Sequence, residues 1–210
     1  MERTTSIEEA KKIFGRNFIG IEEINEISTV LGVQAPNNAP EVPYSILELE
    51  ERSSDSILIL GSNLLNNGGN LNLLSLREWF GTDPDKYEPC FYNQDWYLKE
   101  DFMKVTLENR WYLINKNVFD DSRAIQPDIL EKHINLPKTI LCAYVFFAYW
   151  FHAHEILWQN DFVWCSDKDH NGDRIYIGKY VDIDGINKNG FSIHRHLTLR
   201  HFYGAISSYI

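Results

Sequence analysis

The sequence predicts an α+β fold, with helices through the N-terminal half and a C-terminal antiparallel β-meander packed on a long apolar helix. Three observations carry this. Capping boxes and helical spacing mark the N-terminal part, residues 139–158 are nearly all apolar, and from Phe162 the pattern alternates with period two between turn dipeptides.

Taken in order, Ser6-Ile7-Glu8-Glu9 is a capping box that opens a helix over 7–14, closed by Gly15. Ile21, Ile24, Ile27 and Leu31 recur at helical spacing within 18–31, and Gly32 stops that helix. The pair reads as a helical hairpin cap over 1–35. Its second helix carries Glu22, Glu23 and Glu26 and no Arg or Lys, which argues against a DNA-reading helix-turn-helix. Pro36, Pro40 and Pro43 make 36–44 an extended connector, leaving 45–210 as an α+β main domain.

Ser45-Ile46-Leu47-Glu48 opens a third capped helix, and the Ile/Leu-rich stretch 56–60 reads as a buried strand. Asn66-Asn67-Gly68-Gly69-Asn70 is a turn; no Gly-Lys-Ser/Thr follows, so it is not a phosphate loop. Ser75-Leu76-Arg77-Glu78 reads as the cap of a short helix ending at Gly81. The aromatic stretch 82–97 reads as a packed-down loop, 101–109 as a helix, and 110–118 as a strand. On that strand Trp111, Leu113 and Asn115 share one face and Tyr112 and Ile114 the other. Pro127 begins a short helix to 133, and 139–158 is the long helix. Strands over 162–165, 174–181 and 191–199 follow, joined at Asn171-Gly172 and at Asp184-Gly185 with Asn189-Gly190.

With 210 residues, 44% of them apolar and 24% charged, the chain can bury a core without disulfide or metal staples. Its formal charge of −10 disfavours nucleic acid as a partner. Cys90, Cys142 and Cys165 are too few and too scattered for a secreted disulfide framework or a thiolate zinc site. Cys142 reads as a small buried hydrophobe, and Cys90 is the weak candidate nucleophile. The N-terminus has no apolar signal core, and the run 140–151 falls short of the ~20 residues that span a bilayer. A cytoplasmic location without membrane contact is the expectation.

Two patterns offer metal ligands. In Asp167-Lys168-Asp169-His170-Asn171-Gly172-Asp173, the oxygens of Asp167, Asp169 and Asn171 sit at the first, third and fifth places of an EF-hand-type loop. Gly172 takes the sixth place and the Asp173 carbonyl the seventh. The closing carboxylate is missing, because Gly178 stands in its place, although Asp182 or Asp184 could close the shell. The competing reading is a hairpin turn on Asn171-Gly172. The second pattern, His194 and His196, puts two imidazoles on one strand face as a two-ligand zinc edge, against a reading as the polar face of a half-buried strand. Phe151-His152-Ala153-His154-Glu155 has neither the order nor the spacing of a zincin helix.

Val163-Trp164-Cys165-Ser166, Arg174-Ile175-Tyr176-Ile177 and Asn189-Gly190-Phe191-Ser192-Ile193-His194-Arg195 together resemble the end of C-type-lectin-like domains of the formylglycine-generating and fibrobacter-major-domain kind. Trp111-Tyr112-Leu113-Ile114 would match their Trp-Arg-Leu-Pro segment. The paired cysteines of the catalytic members have no counterpart here. The resemblance therefore implies a recognition scaffold without catalysis, with calcium as an option, and makes Trp164, Tyr176 and Arg195 the ligand-binding candidates.

No complete catalytic constellation stands out, and aromatic residues make up 14% of the chain. The expected function is thus a non-enzymatic cytoplasmic binding or interaction protein with no cofactor, its partner a protein or small ligand held at an exposed aromatic patch or cleft. The alternative is a metal-dependent enzyme or metal-stabilised protein, using calcium or zinc at Asp167, Asp169, Asn171 and Asp173 or at His194 and His196.

Overall fold

One apolar helix touches both sheets of the protein, and its residues explain why. The computed structural model describes residues 4–159, 161–180, 189–195 and 198–209. His196, Asp182 and the expected turn at Asp184-Gly185 lie outside the described residues. Helix α6 spans Thr139–Ala153, and every residue from Thr139 through Tyr149 is buried. A helix apolar on all sides must be covered on all sides. The Tyr144 hydroxyl donates to the Leu60 carbonyl at 3.0 Å on one side, and Phe146 and Phe147 meet Phe191 at 5.0 and 5.8 Å on the other. Each such aromatic contributes roughly 2–3 kcal/mol by leaving water. No helix among the described residues is long and apolar enough to cross a membrane.

The N-terminal helices follow their local signals. The Ser6 hydroxyl caps α1 (Ile7–Phe14) by accepting from Glu9, and Gly15 ends it at φ +53°. Helix α2 (Ile21–Leu31) starts where the Glu23 carboxylate accepts the Gly20 amide at 2.9 Å, and Gly32 ends it. Between them Phe18–Ile19 forms β1, a two-residue strand where only helix was expected. Helix α3 (Ile46–Arg52) has the expected Ser45–Glu48 capping box.

The first sheet has the order β1-β2-β3-β8, with β2 at Ser56–Leu60, β3 at Trp111–Asn115 and β8 at Ser208–Tyr209. β1 runs parallel to β2, while β2–β3 and β3–β8 are antiparallel. All five residues of β3 are buried, so its two faces do not divide into core and solvent. Helix α4 (Leu73–Phe80) is capped by Asn72, with Ser75 answering three residues on; the expected cap at Ser75 is therefore one turn late. The expected helix over 101–109 is only a 3₁₀ turn, Asp101–Lys104.

The second sheet has the order β6-β5-β4-β7. β4 (Phe162–Lys168), β5 (Arg174–Tyr180) and β6 (Gly190–Arg195) form the antiparallel meander, and β7 (Tyr203–Gly204) joins β4 in parallel. Its inner face gives Val163, Cys165, Ile175, Ile177, Phe191 and Ile193 to the main core. Its outer face gives Phe162, Trp164 and Tyr176 to a second cluster closed by Tyr203 and by Leu130 of α5 (Pro127–Leu130). The main core runs from Ala10 to Ile206, so the helices before the proline-rich connector and the residues after it share one interior. The long helix stops at Ala153 rather than 158, because His154 turns left-handed at φ +53° and closes the last turn onto the Trp150 carbonyl.

Candidate functional site

The aspartate loop divides its oxygens among separate partners. Asp167 Oδ2 accepts the Thr139 amide at 2.6 Å and so caps α6. Asp169 Oδ1 accepts the amides of Asn171 and Asp173 at 2.9 and 2.8 Å, which closes the β4–β5 hairpin around Gly172 at φ +86°. The Asp173 carbonyl accepts the Asp169 amide at 2.9 Å. Gly178, at the place of the missing closing carboxylate, lies inside β5, where a Cβ would stand 2.3 Å from the Asp161 carbonyl.

Asp169 has company that the sequence did not announce. Its carboxylate, the carboxylate of Glu100 and the imidazole of His170 offer ligand atoms within 4.8 Å of one another. The buried Glu100 accepts the His170 backbone amide at 2.9 Å, and its Oε1 lies 2.6 Å from His170 Nδ1. Arg195 Nη1 lies 3.4 Å from Asp169 Oδ2, and its guanidinium covers the Trp96 ring at 5.2 Å. Burial pushes the Asp169 carboxyl upward, but the two backbone amides and Arg195 outweigh it and leave the pKa below the ordinary value. The cluster therefore contains its own positive charge in Arg195.

His194 is not part of this group. It pairs across the sheet with Tyr176 and stacks on it, with Phe162 edge-on at 5.9 Å and Gln94 Nε2 3.4 Å from Nδ1. Burial alone drives its pKa down to about 4. Trp164 is fully buried and Tyr176 is 8% exposed, so both lie beneath the surface, while Arg195 is half-exposed. The exposed aromatic rings are elsewhere: Trp79, Tyr87, Tyr180 and Phe202. Cys90 is buried and its thiol is pushed up to about 11 by that burial, which holds it as the unreactive thiol at neutral pH.

An apolar pocket lies at the N-terminal end. It encloses ≈ 320 Å³ between α1, α2, the connector and β3, and its apolar lining is Ile7, Phe18, Ile21, Ala39 and Trp111. The Phe18 and Trp111 rings lie 5.2 Å apart at 40°. The Trp111 indole N–H is already donated to the Pro40 carbonyl at 2.8 Å. Glu8, Glu22, Glu23 and Lys11 form the charged part of the lining. A smaller cavity of ≈ 160 Å³ has a mixed lining, with Arg110, Lys138 and Ser166 beside Leu107, Leu136 and Leu141.

No known family model, curated protein or solved structure matches the chain. Sequence reasoning missed the residues that make these sites because their partners are remote. Glu100 is 70 positions from His170, and Trp111 reaches Pro40 across 71. The one local signal was the aromatic surplus.

Proposed function

We propose that the chain is a non-enzymatic binding protein whose ligand is a small molecule with an apolar body, held in the pocket between α1, α2 and β3. The observation that carries this is the ≈ 320 Å³ pocket lined by Ile7, Phe18, Ile21, Ala39 and Trp111. Small-molecule sites begin at roughly this size, and they combine an apolar wall with a few charged groups that fix orientation. The test uses indole as a neutral probe, observed by saturation-transfer NMR. Transfer to indole is expected in the wild-type protein and lost in Ala39→Phe, which fills the pocket from its partly buried side. Transfer that is absent from the wild type, or unchanged in the filled variant, overturns the proposal.

A second reading is favoured by the spacing of Glu100, Asp169 and His170: a divalent cation bound to those three side chains. Such an ion must displace Arg195 from Asp169 and the Nδ1 contact of His170 from Glu100. Calorimetric titration with zinc and with calcium tests it. A saturable one-to-one heat lost in Glu100→Gln supports the metal, and its absence with both ions removes this reading.

A further inference from the structure

We infer that the ligand of the apolar pocket is an organic cation, an aromatic or branched aliphatic body carrying one ammonium group. The inference rests on the pocket reading above and adds the ligand's charge.

Charge complementarity of the lining points to a cation. Three carboxylates, Glu8, Glu22 and Glu23, and a single ammonium, Lys11, lie on the pocket lining. Lys11 Nζ sits 2.7 Å from Glu22 Oε2 and 2.6 Å from Glu23 Oε1. Those two carboxylates raise the Lys11 pKa, so the ammonium stays charged. Glu23 is buried and also accepts the Gly20 amide that starts α2. Glu8 has no ion pair among the described residues and is exposed. The lining thus keeps a surplus of negative charge after Lys11 is counted, at the edge of an apolar floor where a charge is less screened than in open water.

Lys11 also shows what such a lining accepts. Its own ammonium bridges two carboxylates while its stem lies along the pocket. The Lys11–Glu22 pair is mostly exposed, with Glu22 at 79% exposure, so a ligand ammonium can take the Glu22 oxygen at little cost. A carboxylate ligand finds only Lys11, already doubly paired. The Trp111 N–H is spent on Pro40, so the indole cannot serve a ligand acceptor.

The experiment compares three probes of matched body by calorimetry and NMR at low salt: 2-phenylethylammonium, 2-phenylethanol and 3-phenylpropionate. The ammonium is expected to bind at least several-fold tighter than the alcohol, and the carboxylate weakest. The ammonium advantage should shrink in 0.5 M salt. In the double variant Glu8→Gln, Glu22→Gln the ammonium should fall to the level of the alcohol, with alcohol binding retained. Lys11→Met should tighten the ammonium a few-fold, because it frees two carboxylates. Equal binding of all three probes overturns the charge assignment and leaves the pocket standing. A charge preference that survives the double variant also overturns it. Failure of all three to bind removes the pocket reading and this inference together.

Discussion

The imidazole of His194 lies stacked on the Tyr176 ring, centroids 5.3 Å apart and planes 23° from parallel, as a directly opposed cross-strand pair. Burial keeps the ring neutral, with its pKa down at about 4. The unfolded chain takes up that proton near pH 6.5, so stability is full above that value. It falls as pH drops from 6.5 to 4 and levels off below. The drop amounts to roughly 3 kcal/mol for this residue. Urea melts at pH 7.5 and 4.5 check it: His194→Phe should lose less stability between the two than the wild type does. An equal loss in both proteins refutes the assignment.

Asp167 is expected to matter as a cap. Asp167→Ala should cost about 1–2 kcal/mol, because the Thr139 amide at the start of a 15-residue helix loses a charged acceptor. Asp167→Asn should recover part of this. Thermal melts in the presence of chelator read the difference, since the lost partner is an amide and needs no ion.

Lys179 and Glu88 should respond asymmetrically. The Lys179 side chain is 4% exposed, paired with a Glu88 that is 45% exposed, and lies 5.0 Å from the Trp150 ring. Lys179→Met keeps the packing and leaves a hydrated carboxylate, so stability should change by less than about 1 kcal/mol or rise. Glu88→Ala leaves a buried ammonium without its partner and should cost about 3 kcal/mol. Chemical denaturation of both variants decides this, and equal losses would count against it.

Gly178→Ala should loosen the meander. The added methyl would stand 2.3 Å from the Asp161 carbonyl and 2.8 Å from the Phe162 ring, so β4 and β5 must separate. A loss of about 1–3 kcal/mol is expected. Hydrogen exchange should show faster opening across β4 and β5 than in α1.

What the sequence made legible was what local chemistry decides. Ser6 and Ser45 open helices because their hydroxyls reach amides three residues ahead, and Gly15 and Gly32 close helices because positive φ suits them. The meander and the buried helix were readable because their periodicity repeats over many residues. Strand β1 was not, because two residues, Phe18 and Ile19, form it only by pairing with Leu58 and Ile59. The aspartate loop shows the same boundary. Its turn chemistry is local, but the use of Asp167 depends on Thr139, and that of Asp169 depends on Arg195. Where the pocket lies depends on Phe18, Ala39 and Trp111 meeting, which no window of the sequence displays.

The two sheets also differ in when they can form. β4, β5 and β6 neighbour one another in the chain, so their ladder closes short loops and can assemble early. The first sheet joins Phe18 to Leu58 and Leu113 to Tyr209, and each pairing must close a long stretch of chain before any bond repays it. We therefore expect the meander and α6 to assemble first as a platform, and the first sheet, with the pocket wall carried by Phe18 and Trp111, to form last. Ligand binding should accordingly appear only at the end of refolding, after most of the helix signal has returned.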